Sequence, residues 1–255
     1  MSTLLTGVAV MLIVAVASTA GFILMSKYVP ERWLIADSDA ASALYATIGM
    51  VYAILIAIAA IAVWEPHDDA GQATSREASD MSEAYWSARG LAPTDSTEIR
   101  VLITQYVHVV VDQEWPSLHA DHAPSPEAED VFAELRMRVE AVQPVGDSQE
   151  NFEQDVLSNI NDAASARRAR LAAASQGMPP LVWPTLLFGA VINIGFLYLF
   201  GLDRTFPNGL MMAIVGGMLG LVLFVIYQVE YPFSGGLSVG PDAFRTALAT
   251  LGAPT

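Results

Sequence analysis

The sequence contains no cysteine, which excludes disulfides and thiolate metal sites. Charge is scarce as well: 15% of residues are Asp, Glu, Lys or Arg, where soluble domains carry about 25%. Lys27 is the sole lysine, and the formal net charge is −15. Nucleic acid is therefore excluded as a partner, because phosphate binding needs clustered positive charge. The same balance argues against docking of the acidic region on anionic lipid. A glycine-rich phosphate loop, a nucleophile elbow and paired acids with a substrate cleft are all missing, so nothing points to an enzyme. No period-two alternation, internal repeat or low-complexity tract is present.

What remains is apolar and unevenly spread. Of the 255 residues 53% are hydrophobic, and mean hydropathy is +0.42. Four blocks are long enough to cross a bilayer at roughly 20 residues each: Leu4–Met25, Ala43–Val63, Leu181–Leu202 and Gly209–Val229. None of them contains an Asp, Glu, Lys or Arg. Met1-Ser2-Thr3 lacks the basic start of a secretory signal and the first apolar run exceeds the usual length, so the first block is expected to be a retained helix. The chain therefore reads as an all-α integral membrane protein with four transmembrane helices and a helical insert. Residues 1–64 hold the first two spans, 65–178 an acidic helical insert, 179–230 the last two spans, and 231–255 a tail with a short amphipathic helix.

Four spans place both termini and the insert on one side. The short loops opposite carry Lys27, Arg32 and Arg204, whereas the insert side carries Arg76, Arg167, Arg168, Arg170 and Arg245. The basic excess, five against three, favours a cytoplasmic insert and cytoplasmic termini.

The insert reads as helices. One continues from the second span over Thr74–Arg89, and another covers Asp95–Trp115 and is expected to stop at Pro116. Ser125, followed by Pro126 and acids, is a helix start with a capping serine. Val131, Leu135, Val139 and Val142 stripe that helix; Phe152, Val156, Ile160 and Ala163 stripe the next. In the tail, Phe244, Leu248 and Leu251 share one face, expected to lie on the membrane surface or against a neighbouring subunit.

The second span ends in a knot of acids: Glu65, Asp68 and Asp69. On a helix, Ile54, Ile58, Ile61 and Glu65 share a face with Asp68 or Asp69 next. That face meets either lipid or a pore, and a carboxylate at its end is costly against lipid. In an oligomer Ile54, Ile58 and Ile61 would form an apolar constriction that opens into an acidic ring binding permeant or divalent cations. Alternatively, Glu65 caps a helix that starts after Pro66, or pairs with an arginine. Ala53, Ala57 and Ala60 form a small-residue face suited to close helix packing, as do Gly216 and Gly220 in the fourth span. Asn193, in the third, is a candidate for a hydrogen bond across helices. His119 and His122, with His108 and Glu114 upstream, match no strong metal signature and read as part of a solvated polar loop.

Several fragments together resemble a known family: Tyr52-Ala53, Trp64-Glu65, Glu77-Ala78, Glu114-Trp115-Pro116, Arg167, Arg170-Leu171, Pro180, Trp183 and Pro232-Phe233-Ser234-Gly235. Their order and spacing are similar to the bacterial bestrophin-like membrane proteins, from about Gly49 to Leu251. The resemblance implies four spans, cytoplasmic termini, a helical cytosolic region and a pentameric channel lined by the second helix. Bestrophins conduct chloride and sense calcium, yet the acids at 65, 68 and 69 depart from an anion pathway. After Glu65 the insert holds 20 acids against 8 arginines, a field that concentrates cations and repels chloride. The expectation is a homo-oligomeric, cation-permeable channel with self, bilayer and inorganic ions as partners, no organic cofactor, and a divalent ion such as calcium at Glu65. The alternatives are an anion channel, or a non-conducting scaffold or sensor.

Overall fold

A computed structural model of the chain describes residues 2–28, 30, 38–200 and 202–252. Arg32, one of the basic residues assigned to the short loops, lies outside them. The described residues form helices α1 (Ser2–Tyr28), α2 (Ser38–Ser87), α3 (Pro93–Val109), α4 (Trp115–Asp121), α5 (Pro126–Glu140), α6 (Asp147–Ser175), α7 (Val182–Tyr198), α8 (Phe206–Val229) and α9 (Asp242–Leu251), with no strand among them. They divide into two units, Met1–Trp64 with Gly177–Glu230, and Glu65–Gln176 with Tyr231–Thr255.

In the first unit α1, α2 and α8 are long and apolar enough to cross a membrane. α7 is apolar but has 17 residues, shorter than the 22-residue block that contains it. It ends early because the chain tightens into three-residue turns, Leu199 N–H to Phe196 O at 3.1 Å and Phe200 N–H to Leu197 O at 3.4 Å. That turn brings Phe196 and Phe200 against Tyr45, with ring centroids 5.8 and 5.9 Å away.

Without a hydrophobic drive inside lipid, helices associate through close backbone approach and hydrogen bonds. α8 meets α1 at its glycines: a Cβ at Gly216 would stand 2.5 Å from Ser18 Cβ, and one at Gly220 2.8 Å from Val14 Cβ. The Ser18 hydroxyl donates to Met212 O at 2.9 Å. α7 joins through Tyr198, whose hydroxyl donates to Ser18 O at 2.7 Å. Gly189 leaves room for the Tyr52 ring of α2, and the Tyr52 hydroxyl donates to Leu186 O at 2.9 Å. Asn193 makes no bond across helices by its amide nitrogen, which donates back to Gly189 O in its own helix at 3.0 Å.

The second unit buries an apolar core built from the second half of α2 with α3 to α6 and α9. Buried positions on α2 recur every three or four residues: Ala70, Ala73, Glu77, Met81, Ala84. The α6 row holds at Val156, Ile160 and Ala163, whereas Phe152 is partly exposed. Ser125 flanks α5 as expected, but its hydroxyl donates to Glu127 Oε2 at 2.7 Å and caps no backbone N–H. The helix that begins at Pro93 does not stop at Pro116. A π turn over Val110–Glu114 resets the backbone register, so Pro116 falls in the first turn of α4, where a missing N–H costs nothing. The apolar face of α9 belongs to this same core, with Phe244 and Leu251 buried and the Tyr85 hydroxyl donating to Leu251 O at 3.1 Å. That face is covered by its own chain, neither by membrane nor by a neighbour.

Candidate functional site

α2 is two-sided. In the first unit Tyr52, Ala59 and Val63 are buried, the latter two against Leu186, Ile226 and Val229. On another side Ile54, Ile58 and Ile61 stand 54, 60 and 64% exposed. Ala53 and Ala57 are also uncovered within the chain, and Ala60 is half-buried beside Ala59.

In the second unit Glu65, Asp68 and Asp69 are exposed. α2 runs unbroken through Pro66, so no helix starts there and Glu65 is not a cap. Asp68 is held by its own helix: Gln72 Nε2 donates to Asp68 Oδ2 at 2.8 Å, and Arg76 Nη2 donates to Gln72 Oε1 at 2.9 Å. Among the described residues no three His, Asp or Glu side chains gather as a metal site. One copy of α2 thus supplies acids without a ligand set, and a divalent ion there needs carboxylates from several copies.

Of the two histidines, His122 lies in the loop that follows α4, as expected, whereas His119 is an exposed residue of α4 itself. His119 belongs to α4 and donates from Nδ1 to Phe233 O at 3.0 Å. His122 adopts the left-handed backbone region at φ 54°. Its ring stacks on Tyr231 at 4.3 Å, and its Nδ1 lies 3.1 Å from Ser234 Oγ. Both fasten the Tyr231–Ser234 segment.

A buried ionic cluster lies at the centre of the second unit. Arg170 on α6 is fully buried and donates from Nε to Glu77 Oε2 at 2.7 Å. Its Nη2 reaches Glu77 Oε1 at 3.1 Å and Glu114 Oε1 at 2.5 Å. One turn earlier, Arg167 donates from Nη2 to Glu114 Oε2 at 2.9 Å and from Nη1 to Glu129. The Tyr106 hydroxyl donates to Glu77 Oε1. The π turn that ends at Glu114 turns this carboxylate inward; such turns recur where a side chain must be re-aimed.

Two guanidinium groups and two carboxylates are thus buried together. Burial works against the charge on Arg170, but the Glu77 and Glu114 carboxylates outweigh it and leave the guanidinium well above its ordinary pKa. Arg167 is held the same way, burial being outweighed by the Glu114 and Glu129 carboxylates. Burial first, and the Glu77 charge second, push the Tyr106 phenol well above its ordinary value and keep it neutral. Arg170 Nη1 and Arg167 Nε are buried without an acceptor. Ring faces offset part of that cost: the Arg170 guanidinium lies 5.3 Å from the Trp115 ring and 5.6 Å from Phe244, and that of Arg167 5.5 Å from Phe132. Every carboxylate here is engaged, so the cluster holds helices together and offers no free acid–base pair for chemistry.

Sequence reasoning counted Arg167 and Arg170 as basic residues near a membrane and missed their burial. The signal was the α6 row, since Val156, Ile160 and Ala163 continue at helical spacing to Arg167 and Arg170. The fragments that carry the family resemblance are contact partners in the fold. Glu77, Glu114, Arg167 and Arg170 form the cluster, and Trp115 packs edge-on against Phe233 at 5.4 Å. In the first unit Trp183 Nε1 donates to Glu230 Oε2 at 3.0 Å.

Solved structures share this fold at low identity. Two are mutant forms of a bacterial bestrophin homolog from Klebsiella pneumoniae. One is 12% identical with a TM-score of 0.70, covering 93% of this chain and 97% of that one. The other is 10% identical with a TM-score of 0.71, covering 97% of each. A third, described as a membrane protein, is 11% identical over 98% of both chains with a TM-score of 0.68. No curated protein matches the sequence. The Bestrophin-like domain matches residues 11–244, and with its long apolar helices this chain is a membrane protein of the Bestrophin-like family.

Proposed function

We propose that the chain is the subunit of a homo-oligomeric ion channel, a pentamer in which the first half of α2 lines the pore. α1, that half of α2, α7 and α8 span the inner membrane, with the termini and insert cytoplasmic. At 17 residues α7 is about 26 Å long, close to the roughly 30 Å hydrocarbon thickness. Ile54, Ile58 and Ile61 form the apolar constriction, and Glu65 with Asp69 forms the acidic ring below it. Asp68, tied to Gln72, braces that ring. Ala53 and Ala57 serve contact between subunits.

The observation that carries this reading is the uncovered isoleucine row on a helix whose other side is buried and whose next turn is acidic. Carboxylates crowded in a ring favour a bound cation that relieves their repulsion, and oxygen ligands suit calcium or magnesium. The insert's acidic excess raises the local cation concentration further.

Reversal potentials of purified protein in planar bilayers under a salt gradient test it. The wild type should reverse near the cation equilibrium potential, and Glu65→Gln should move reversal toward the anion and weaken divalent block while keeping the oligomer. Unchanged selectivity and block in Glu65→Gln would remove the acidic ring. Wild-type reversal at the chloride potential would make this an anion channel.

A further inference from the structure

The first unit contains a groove between α1 and α8 with a volume of about 490 Å³, within the range of small-ligand sites. Its walls are apolar: Phe22, Ile23, Phe206, Leu210 and Ala213. Gly209 and Thr19 form the back. A Cβ at Gly209 would stand 3.6 Å from the Thr19 methyl, so the missing side chain opens the space. The Thr19 hydroxyl is turned away, donating to Ala15 O at 3.0 Å with Gly209 O at 3.3 Å. Away from the Arg204–Thr205 end, the groove therefore presents no free polar group.

One end differs. Arg204 lines the groove and is steadied by donating to Ser26 O. Lys27 is the next residue of α1 and Asp203 precedes Arg204, so among the described residues at this end two cations stand against one acid. Arg204 lies just before α8 and beside the last turn of α1. In a bilayer, the ends of spanning helices stand at headgroup depth, where arginine side chains reach phosphate.

An apolar slot that opens to membrane and ends in a cation matches one chemistry. We propose that the α1–α8 groove is a phospholipid site, with an acyl chain along Phe22, Leu210 and Ala213 and the phosphodiester on Arg204. A free phosphate would meet the cation but leave the slot unfilled, and a detergent tail would fill the slot but leave the cation unpaired. The proposal rests on α1 and α8 lying in a bilayer and not on conduction.

The test is photocrosslinking in phosphatidylcholine vesicles doped with phosphatidylglycerol that carries a diazirine in its acyl chain. Adducts, mapped by peptide mass spectrometry, should concentrate at residues 19–23 and 206–213 and be competed by unlabelled phosphatidylglycerol. Arg204→Gln removes an exposed ion pair and should cut labelling about fivefold. Ala213→Phe fills the slot without touching charge and should cut it at least as much. Labelling spread evenly over lipid-facing helices, or unchanged in both variants, overturns the site while leaving the membrane reading intact. Absence of any adduct overturns both.

Discussion

Replacing Arg170 by methionine keeps much of its length and removes its charge from the middle of the insert. Glu77 would retain the Tyr106 hydroxyl, and Glu114 would retain Arg167, but three charge-assisted hydrogen bonds would be lost. Both carboxylates have no exposed side-chain surface, so water cannot replace the missing donor. Breaking a buried pair in this way costs about 3–5 kcal/mol. That is a large part of the roughly 5–15 kcal/mol that holds a domain folded. At about 2–4 °C per kcal/mol for a chain of this size, the midpoint should fall on the order of 10 °C. Trp115, one of five tryptophans, lies by the Arg170 guanidinium, so tryptophan fluorescence during heating in detergent includes a signal from the site. Arg168→Met is the control: this neighbouring arginine is exposed, and its loss should change stability by no more than about 0.5 kcal/mol. Glu77→Gln combined with Arg170→Met should be less damaging than the sum of the two, with a coupling of about 1 kcal/mol or more. An Arg170→Met protein that melts with the wild type would refute the cluster's role.

Tyr106 gives a pH dependence. Its folded pKa is raised above that of the unfolded chain, so its contribution is complete below about pH 10 and declines as pH rises beyond it. Tyr106→Phe should melt with a shallower alkaline decline than the wild type; equal slopes would place the titration elsewhere. In the first unit Gly220→Leu should cost about 1–3 kcal/mol or more, because Val14 already touches that position, and an unchanged melting midpoint would contradict the α1–α8 contact. Ala57→Leu, at an uncovered position, should leave the chain folded but disrupt the oligomer in native mass spectrometry; an intact pentamer would turn that face toward lipid. Because the chain has no cysteine, Met137→Cys at an exposed insert site should resist an impermeant thiol reagent in intact cells, and ready labelling would invert the proposed orientation.

The apolar helices α1, α2, α7 and α8 were legible because a charge-free apolar run near 20 residues matches the thickness of a bilayer and suits little else. Their ends were less so, since the turn after Tyr198 goes with aromatic packing against Tyr45, a contact between residues more than 150 positions apart. Proline signals a stop at Pro116 and a new start after Pro66, yet helix continues through both. At Pro116 the π turn has already shifted the hydrogen-bond register, a non-standard geometry that residue spacing does not announce. The apolar row on α9 was visible, but a row does not say what covers it. Here the cover is the chain's own Trp115 and Ala-rich core, with Trp115 lying 5.8 Å from Phe244.

The buried cluster was within reach of a stricter argument. Glu77 falls in the α2 row between Ala73 and Met81, and Glu114 between Val110 and Leu118, all of them buried. Arg167 and Arg170 continue the row of Val156, Ile160 and Ala163. A charge at a core register must find an opposite charge or it costs several kcal/mol. Two acids and two arginines in otherwise apolar rows are therefore each other's natural counter-ions, and their pairing fixes α6 against α2 and the π turn. The same logic explains why Glu65, Asp68 and Asp69 stayed open to more than one reading. They stand at exposed registers, where a carboxylate needs no partner in its own chain, so only residues contributed by other copies or by permeant ions can give them a role.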